Sequence, residues 1–215
     1  MKLVIGDKNY SSWSMRPWVL LKHFGIPFEE VCIDLHEAGS KAAILAHSSS
    51  GKLPYLSAQD GLSVWDSLAI AETLADRFPQ HALWPRDPVA RGHARSISAE
   101  MHSGVGELRS NMWMNIRASF AGKGATPGAL ADIARVDAIW SGCIEQYGGP
   151  FLFGERSAAD AMYAPVVTRF VTYDVKLDPE IVDYGQRIMA LPEMQQWIAD
   201  AQQEVEEIDE LDVEF

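Results

Sequence analysis

Three serines lie close together near the start of the chain, in residues 10–18, which read Tyr-Ser-Ser-Trp-Ser-Met-Arg-Pro-Trp. A short apolar run ends at Gly6 and a helical pattern follows, so Ser11, Ser12 and Ser14 fall where a strand turns into a helix. The start of a helix offers free backbone N–H groups and the positive end of the helix dipole. A serine hydroxyl held there can donate to an anion and help to keep it ionised. The same serines could instead only cap the helix.

Two further stretches place polar groups at the borders of predicted elements. Asp66 and Ser67 come directly before an apolar helical run, where they could bind an anion or only cap the helix. Lys52-Leu53-Pro54 opens a third strand, and proline is tolerated at the first position of a strand. Taken alone, each stretch favours the structural interpretation over the functional one.

The elements that must position these residues follow the order βαβ-α-ββα. The predicted elements are a strand at 2–5, a helix at 14–24, a strand at 27–35, a helix at 37–47, strands at 52–56 and 62–65, and a helix from 68 to about 78. The strand–helix–strand opening makes the first two strands parallel. We expect an α/β domain over residues 1–80, with helices packed on a mixed four-stranded sheet.

Beyond a linker punctuated by Pro79, Pro85 and Pro88, almost everything is helical in pattern. Helices are predicted at 89–120, 129–147, 157–172 and 192–206. Gly104 and Gly106 are weak points of the first of them. We therefore expect an all-helical C-terminal domain over residues 87–215, with an acidic end from residue 204 that is frayed or loosely docked.

Composition limits the class of partner. The chain has 215 residues, 47% of them hydrophobic, and a net charge of −12, which argues against nucleic acid or an anionic membrane. No stretch is apolar for long enough to cross a bilayer, and the first residues lack the apolar core of a signal peptide. Two distant cysteines, Cys32 and Cys143, fit a reducing cytoplasm. No metal-ligand spacing, Walker motif or dinucleotide fingerprint is present, so no metal is expected.

Four features, in this order, resemble the cytosolic glutathione transferase family. They are the serine stretch, Lys52-Leu53-Pro54 where the family carries a cis-proline, Asp66-Ser67 opening the third helix, and residues 151–161 with the capping pair Ser157 and Asp160. The resemblance covers essentially the whole chain. It implies a thioredoxin-like N-terminal domain, an all-helical C-terminal domain, glutathione as co-substrate and usually a homodimer.

The serine stretch resembles most the zeta class of this family, whose motif runs Ser-Ser-Cys-x-Trp-Arg. An ungapped match puts the catalytic serine on Ser11 and the motif arginine on Arg16. Trp13 falls where the class has cysteine, a departure from maleylacetoacetate isomerase that points to a bacterial-type subgroup of its own. The other hydroxyls of the stretch stay open as the thiol-activating group: Tyr10, Ser12 and Ser14.

The resemblance also assigns the parts of glutathione. Asp66 would accept from the γ-glutamyl ammonium, and Ser67 would bind the γ-glutamyl carboxylate through its hydroxyl and backbone N–H. The backbone of Leu53, beside Pro54, would pair with the cysteinyl backbone like an added strand. Lys52 would contact the glycyl carboxylate.

The second substrate would lie between the domains. Residues that could line its pocket are Trp13, Met112, Trp113, Asn115 and Arg117. The sequence therefore predicts a glutathione transferase that activates the thiolate for attack on a small hydrophobic electrophile. Two alternatives stay open: a non-catalytic glutathione-binding or regulatory module of the same fold, and a glutathione-dependent isomerase of the maleylacetoacetate type.

Overall fold

The first half of the molecule has the predicted order of elements. The computed structural model describes residues 1–36 and 38–205. The elements are β1 (Lys2–Gly6), α1 (Ser12–His23), β2 (Glu29–Ile33), α2 (Ser40–His47), β3 (Tyr55–Ser57), β4 (Ser63–Trp65) and α3 (Ser67–Arg77). The strands form one sheet in the order β2-β1-β3-β4, with β1 and β2 parallel and β3 antiparallel to both of its neighbours. The thioredoxin-like fold is confirmed.

The central strand β1 is apolar on both faces because both faces are covered. Leu3 and Ile5 point into the main core that α1 and α3 share with the helical half, and both are completely buried. Val4 points to the opposite face and packs with Ile33 and Tyr55. A strand buried on both faces reads as a continuous apolar run rather than an alternating one. This burial fixes the end of β1, from which the serine stretch departs.

The second half is mainly helical, as predicted, and also has two isolated antiparallel β-bridges within residues 151–155. The helices are α4 (Pro88–Ser103), α5 (Gly106–Asn111), α6 (Pro127–Tyr147), α7 (Ala158–Thr172), α8 (Pro179–Met189) and α9 (Pro192–Ala201). The nearly all-buried α7 packs against α1, α4 and α8. Each helix in the described part of the chain is too short or too polar to span a bilayer.

The prediction of one helix over residues 89–120 is wrong. Helix α4 ends at Ser103, Gly104 is extended, and Val105 has a φ of 48°. A glycine inside a helix has the most conformational freedom to lose, so the helix breaks at the weak point. After the short α5, residues 112–126 lie outside any helix. The four pocket candidates at 112–117 therefore come from an irregular segment, not from a helix face.

Two other helices differ from the sequence prediction. Helix α8 was missed, although its buried residues Ile181, Tyr184 and Ile188 have helical spacing. Helix α9 ends at Ala201 rather than near 206. Of the acidic end, Glu204 is docked, because its two carboxylate oxygens accept the backbone N–H groups of Lys8 and Asn9. The rest of that prediction concerns residues 206–215, which lie outside the described residues.

Gly124 offers a test of the irregular segment. It has a φ of +67°, and a Cβ atom added there would lie 2.2 Å from the carbonyl oxygen of Asn111. Gly124→Ala is expected to lower the free energy of unfolding by about 2 to 4 kcal/mol, through backbone strain and overpacking. Gly142→Ala is the matched control, because that helical glycine has open space around it and should gain about 0.5 to 1 kcal/mol. Equal effects of the two substitutions in urea unfolding would contradict the described path of this segment.

Candidate active site

Ser11 and Ser14 are joined to each other at the start of α1. Ser14 is completely buried, and its oxygen accepts the backbone N–H of Gly6 at 3.1 Å and the hydroxyl of Ser11 at 2.7 Å. Ser11 occupies the N-cap position but makes no side-chain capping bond. Ser14 therefore ties the end of β1 to α1, and the proton of Ser11 is directed at Ser14.

Ser12 is held from the helical half of the molecule. Its oxygen accepts a hydrogen bond from Nη2 of Arg169, on α7, at 3.3 Å. The other donors of Arg169 bind the carbonyl oxygens of Met112 and Pro165, both at 2.9 Å. Sequence reasoning did not find Arg169, because its place in a helical run gives no signal of this contact across 157 residues.

Arg16 follows the serines along α1 and is almost completely buried. Its Nε donates to the carbonyl oxygen of Met162 at 3.1 Å, and Nη2 lies 3.2 Å from the sulfur of Met101. Its guanidinium stacks over Trp13, 4.1 Å from the ring centroid, and that of Arg109 lies 5.5 Å from the same centroid. The predicted arginine of the serine motif is thus beside the serines, with a second cation on the same indole.

Each of the three arginines near the start of α1 lacks a carboxylate within ion-pairing distance in residues 1–36 and 38–205: Arg16, Arg109 and Arg169. Burial lowers the pKa of Arg16 well below its usual range, and the charges of Arg169 and Arg109 lower it further. Burial, with the charge of Arg109, lowers the pKa of Arg169 to about 10. In a protein of net charge −12, the start of α1 is therefore locally positive.

The start of α3 combines a strained residue with an unsatisfied one. Asp66 is the N-cap, has a φ of 78°, and accepts the N–H groups of Leu68 and Ala69 through Oδ1. Ser67 follows it, is 1% exposed, and has a hydroxyl without a hydrogen-bond partner among residues 1–36 and 38–205. Strain of this kind is a pointer to function. A buried unpaired hydroxyl costs about 1 to 3 kcal/mol, which a bound ligand atom could recover.

His102, on α4, connects the two helix starts and was missed from the sequence. Its Nε2 lies 2.6 Å from Oδ2 of Asp66, and its ring packs edge-to-face on Trp13 with centroids 5.1 Å apart. Trp13 and Asp66 are therefore brought together around one imidazole. A histidine near a glycine break carried no periodic or motif signal that could have assigned this contact.

The loop before β3 has the expected form. The Leu53–Pro54 peptide bond is cis, Pro54 is buried, and Lys52 is exposed. Their assignment to glutathione stays a prediction, because it concerns a ligand.

The predicted pocket residues are not equivalent. The side chains of Met112 and Asn115 are buried, at 2% and 1% exposure. Trp13, Trp113 and Arg117 are partly exposed. One guanidinium nitrogen of Arg117 lies 3.4 Å from the hydroxyl oxygen of Tyr10. Another donates to the carbonyl oxygen of Glu204, so the C-terminal segment contacts Arg117. For all five residues, a role in lining the pocket stays a prediction.

Potential metal ligands gather around Asp7, at the end of β1. Two groups have all their ligand atoms within 4.8 Å of one another: Asp7 with Asp34 and His36, and Asp7 with Cys32 and Glu204. Their carboxylates already accept backbone N–H groups, for example Asp7 from Leu35 at 3.0 Å. These bonds give the cluster a structural role in joining strand ends to the C-terminal segment.

Comparison with known proteins agrees with this fold. The family model described as "Glutathione S-transferase, N-terminal domain" matches residues 10–77. A probable maleylacetoacetate isomerase of Caenorhabditis elegans is 26% identical over 177 residues, 80% of this chain and 79% of the relative. Maleylacetoacetate isomerase of Pseudomonas aeruginosa is 29% identical over 54% of this chain and 55% of the relative. A glutathione transferase homologue from Burkholderia, solved with bound glutathione, has a TM-score of 0.70 at 24% identity and covers 94% of this chain and 97% of its own.

These similarities and the fold define a glutathione-transferase type of protein, with a thioredoxin-like half followed by a helical half. Residues 10–77 belong to the glutathione S-transferase N-terminal domain family.

Proposed function

We propose that this protein is a glutathione-dependent enzyme that activates the glutathione thiolate for attack on a small hydrophobic electrophile. The buried hydroxyl of Ser67 at the start of α3 carries the proposal, because it is a donor placed for an anionic ligand group and has no partner in the described part of the chain. The glutathione bound to the Burkholderia homologue supports the choice of ligand.

The parts of glutathione are assigned accordingly. The γ-glutamyl carboxylate binds Ser67, and its ammonium approaches Asp66, sharing the carboxylate with His102. The cysteinyl backbone pairs with Leu53, and Lys52 reaches the glycyl carboxylate. The thiol then lies at the start of α1, where the helix dipole and nearby guanidinium groups favour the thiolate.

A maleylacetoacetate-type isomerisation is a second candidate. The names of the curated relatives favour it, and so does the positive charge at the start of α1, which suits a carboxylate substrate. Trp13 at the position of the class cysteine speaks against it. The two candidates differ in product: conjugation consumes glutathione, whereas isomerisation leaves it unchanged.

The test has two stages. Purified protein is first titrated with glutathione by calorimetry and is then assayed with chlorodinitrobenzene and, separately, with maleylacetoacetate. Turnover that consumes glutathione supports the transferase, and isomerisation at constant glutathione supports the second candidate. Binding without either turnover indicates the non-catalytic module, and absence of binding overturns the proposal.

We also propose a homodimer in the cytoplasm, with the domain division between residues 80 and 87. The family commonly has this organisation, and the helical half begins at α4 after the proline-rich linker. Sedimentation at several protein concentrations tests the dimer directly.

A further inference from the structure

The three hydroxyls at the start of α1 differ in what their protons can do. The hydroxyl of Ser11 donates to the oxygen of Ser14, so its proton is already engaged. Ser14 has no exposed surface and cannot touch a ligand. Ser12 keeps 6% exposure, and its oxygen accepts from Arg169. Within residues 1–36 and 38–205, no hydrogen bond has the Ser12 hydroxyl as its donor, so that proton is available.

We infer that Ser12, held by Arg169, is the hydroxyl that donates to the glutathione thiolate. This inference rests on the proposed function and moves the activating role from Ser11, where the ungapped match to the zeta class put it, to the next residue. Arg169 acts as a positioning residue, because it touches Ser12 and not the thiol.

The hydrogen bond from Arg169 has two consequences for Ser12. It occupies a lone pair of the oxygen, so the hydroxyl proton must point away from α7. It also places a positive charge on the acceptor side of the hydroxyl, and hydrogen bonds polarise one another along such a chain, which makes Ser12 a stronger donor. Ser11, although more exposed, has no comparable contact with a guanidinium group.

The local charge favours the same assignment. Arg169 lies near Arg16 and Arg109, and each lacks a carboxylate partner within the part of the chain that the structure describes. Buried cations without counter-ions are costly, and a thiolate beside Ser12 would supply the missing negative charge. Proton balance is simple: the thiol releases its proton to water, and Ser12 keeps its own and shares it with sulfur.

The first experiment compares Ser11→Ala with Ser12→Ala. Thiolate absorbance of bound glutathione is followed across pH, with calorimetry giving the affinity of each variant. We expect Ser12→Ala to raise the pKa of bound glutathione by about one unit, toward the free-thiol value near 8.5, so that the thiolate population falls roughly tenfold where the thiol is mostly protonated. A larger shift in Ser11→Ala than in Ser12→Ala would overturn the inference. A wild-type protein that binds no glutathione would overturn the proposed function as well, and calorimetry separates that outcome from the first.

The second experiment tests the positioning role. Arg169→Met should raise the pKa of bound glutathione in the wild-type background. It should add little to the effect of Ser12→Ala, because both substitutions break the same hydrogen-bonded pair of Arg169 and Ser12. Additive shifts would contradict the role of Arg169. Arg135→Met is the control, since that exposed arginine pairs with Glu100 on the surface and should leave the pKa unchanged. If Arg169→Met does not fold, Arg169→Gln also removes the positive charge but keeps a donor for the carbonyls of Met112 and Pro165, and it takes the place of Arg169→Met in the same comparison.

Discussion

Replacing Asp160 by alanine is expected to lower the free energy of unfolding by about 3 to 5 kcal/mol. This is the largest effect on stability that we expect from a substitution at the start of α7. Asp160 is 3% exposed and closes the capping box at the start of α7. Its carboxylate accepts the N–H of Ser157 at 2.9 Å, the N–H of Leu152 at 3.2 Å and the hydroxyl of Tyr184 at 3.1 Å. The Ser157 hydroxyl donates to the same carboxylate at 3.4 Å, so alanine would leave four buried donors without this acceptor.

Urea unfolding of three variants checks this expectation. Ser157→Ala removes only the reciprocal part of the capping box and should cost about 0.5 to 2 kcal/mol. Asp183→Ala, at an exposed position on α8, should stay within about 0.5 kcal/mol of the wild type. The contacts of Asp160 are with Ser157, Leu152 and Tyr184 and not with the serines at the start of α1, so glutathione affinity per folded molecule should be retained. A stable Asp160→Ala protein that no longer binds glutathione would refute a purely structural role.

The parts of the structure that could be predicted from the sequence are those that depend on neighbouring residues. The capping box spans four positions, and its pattern is complete in the local sequence. The start of α3 is equally local, because Asp66 caps the N–H groups two and three residues on. The order of elements along the chain and the parallel pairing of the first two strands followed from short connections and the strand–helix–strand opening. In each case, the residues that make the interaction are close enough along the chain to appear in one pattern.

Contacts between the two halves could not be predicted in the same way. His102 meets Asp66 only because α4 ends beside α3, and that depends on the break at Gly104. The contact of Arg169 with Ser12 joins α7 to α1, and only the folded chain shows which serine it reaches. A motif match aligns residues in one dimension. It does not reveal the direction of a hydrogen bond, which here separates Ser11 from Ser12.

Ser67→Ala is expected to weaken glutathione binding by about 1 to 3 kcal/mol, or roughly 5- to 150-fold in Kd, because a charge-assisted hydrogen bond to the γ-glutamyl carboxylate is lost. The ligand-free protein should behave differently. The hydroxyl has no partner among the residues that the structure describes, so its removal takes away an unsatisfied buried group and should leave stability unchanged or slightly higher. A loss of affinity without a loss of stability is the signature of a group reserved for a ligand.

Ser98 provides the matched control for this experiment. Its hydroxyl is also buried and has no partner within the described ranges of the chain, but it lies in the middle of α4 and not at a helix start. Ser98→Ala should therefore have the same small effect on urea unfolding as Ser67→Ala and no effect in the calorimetric titration with glutathione. If the two variants bind glutathione equally well, the start of α3 does not hold the γ-glutamyl carboxylate. If Ser67→Ala instead unfolds more easily than Ser98→Ala, its hydroxyl has a structural partner and its role at α3 is capping.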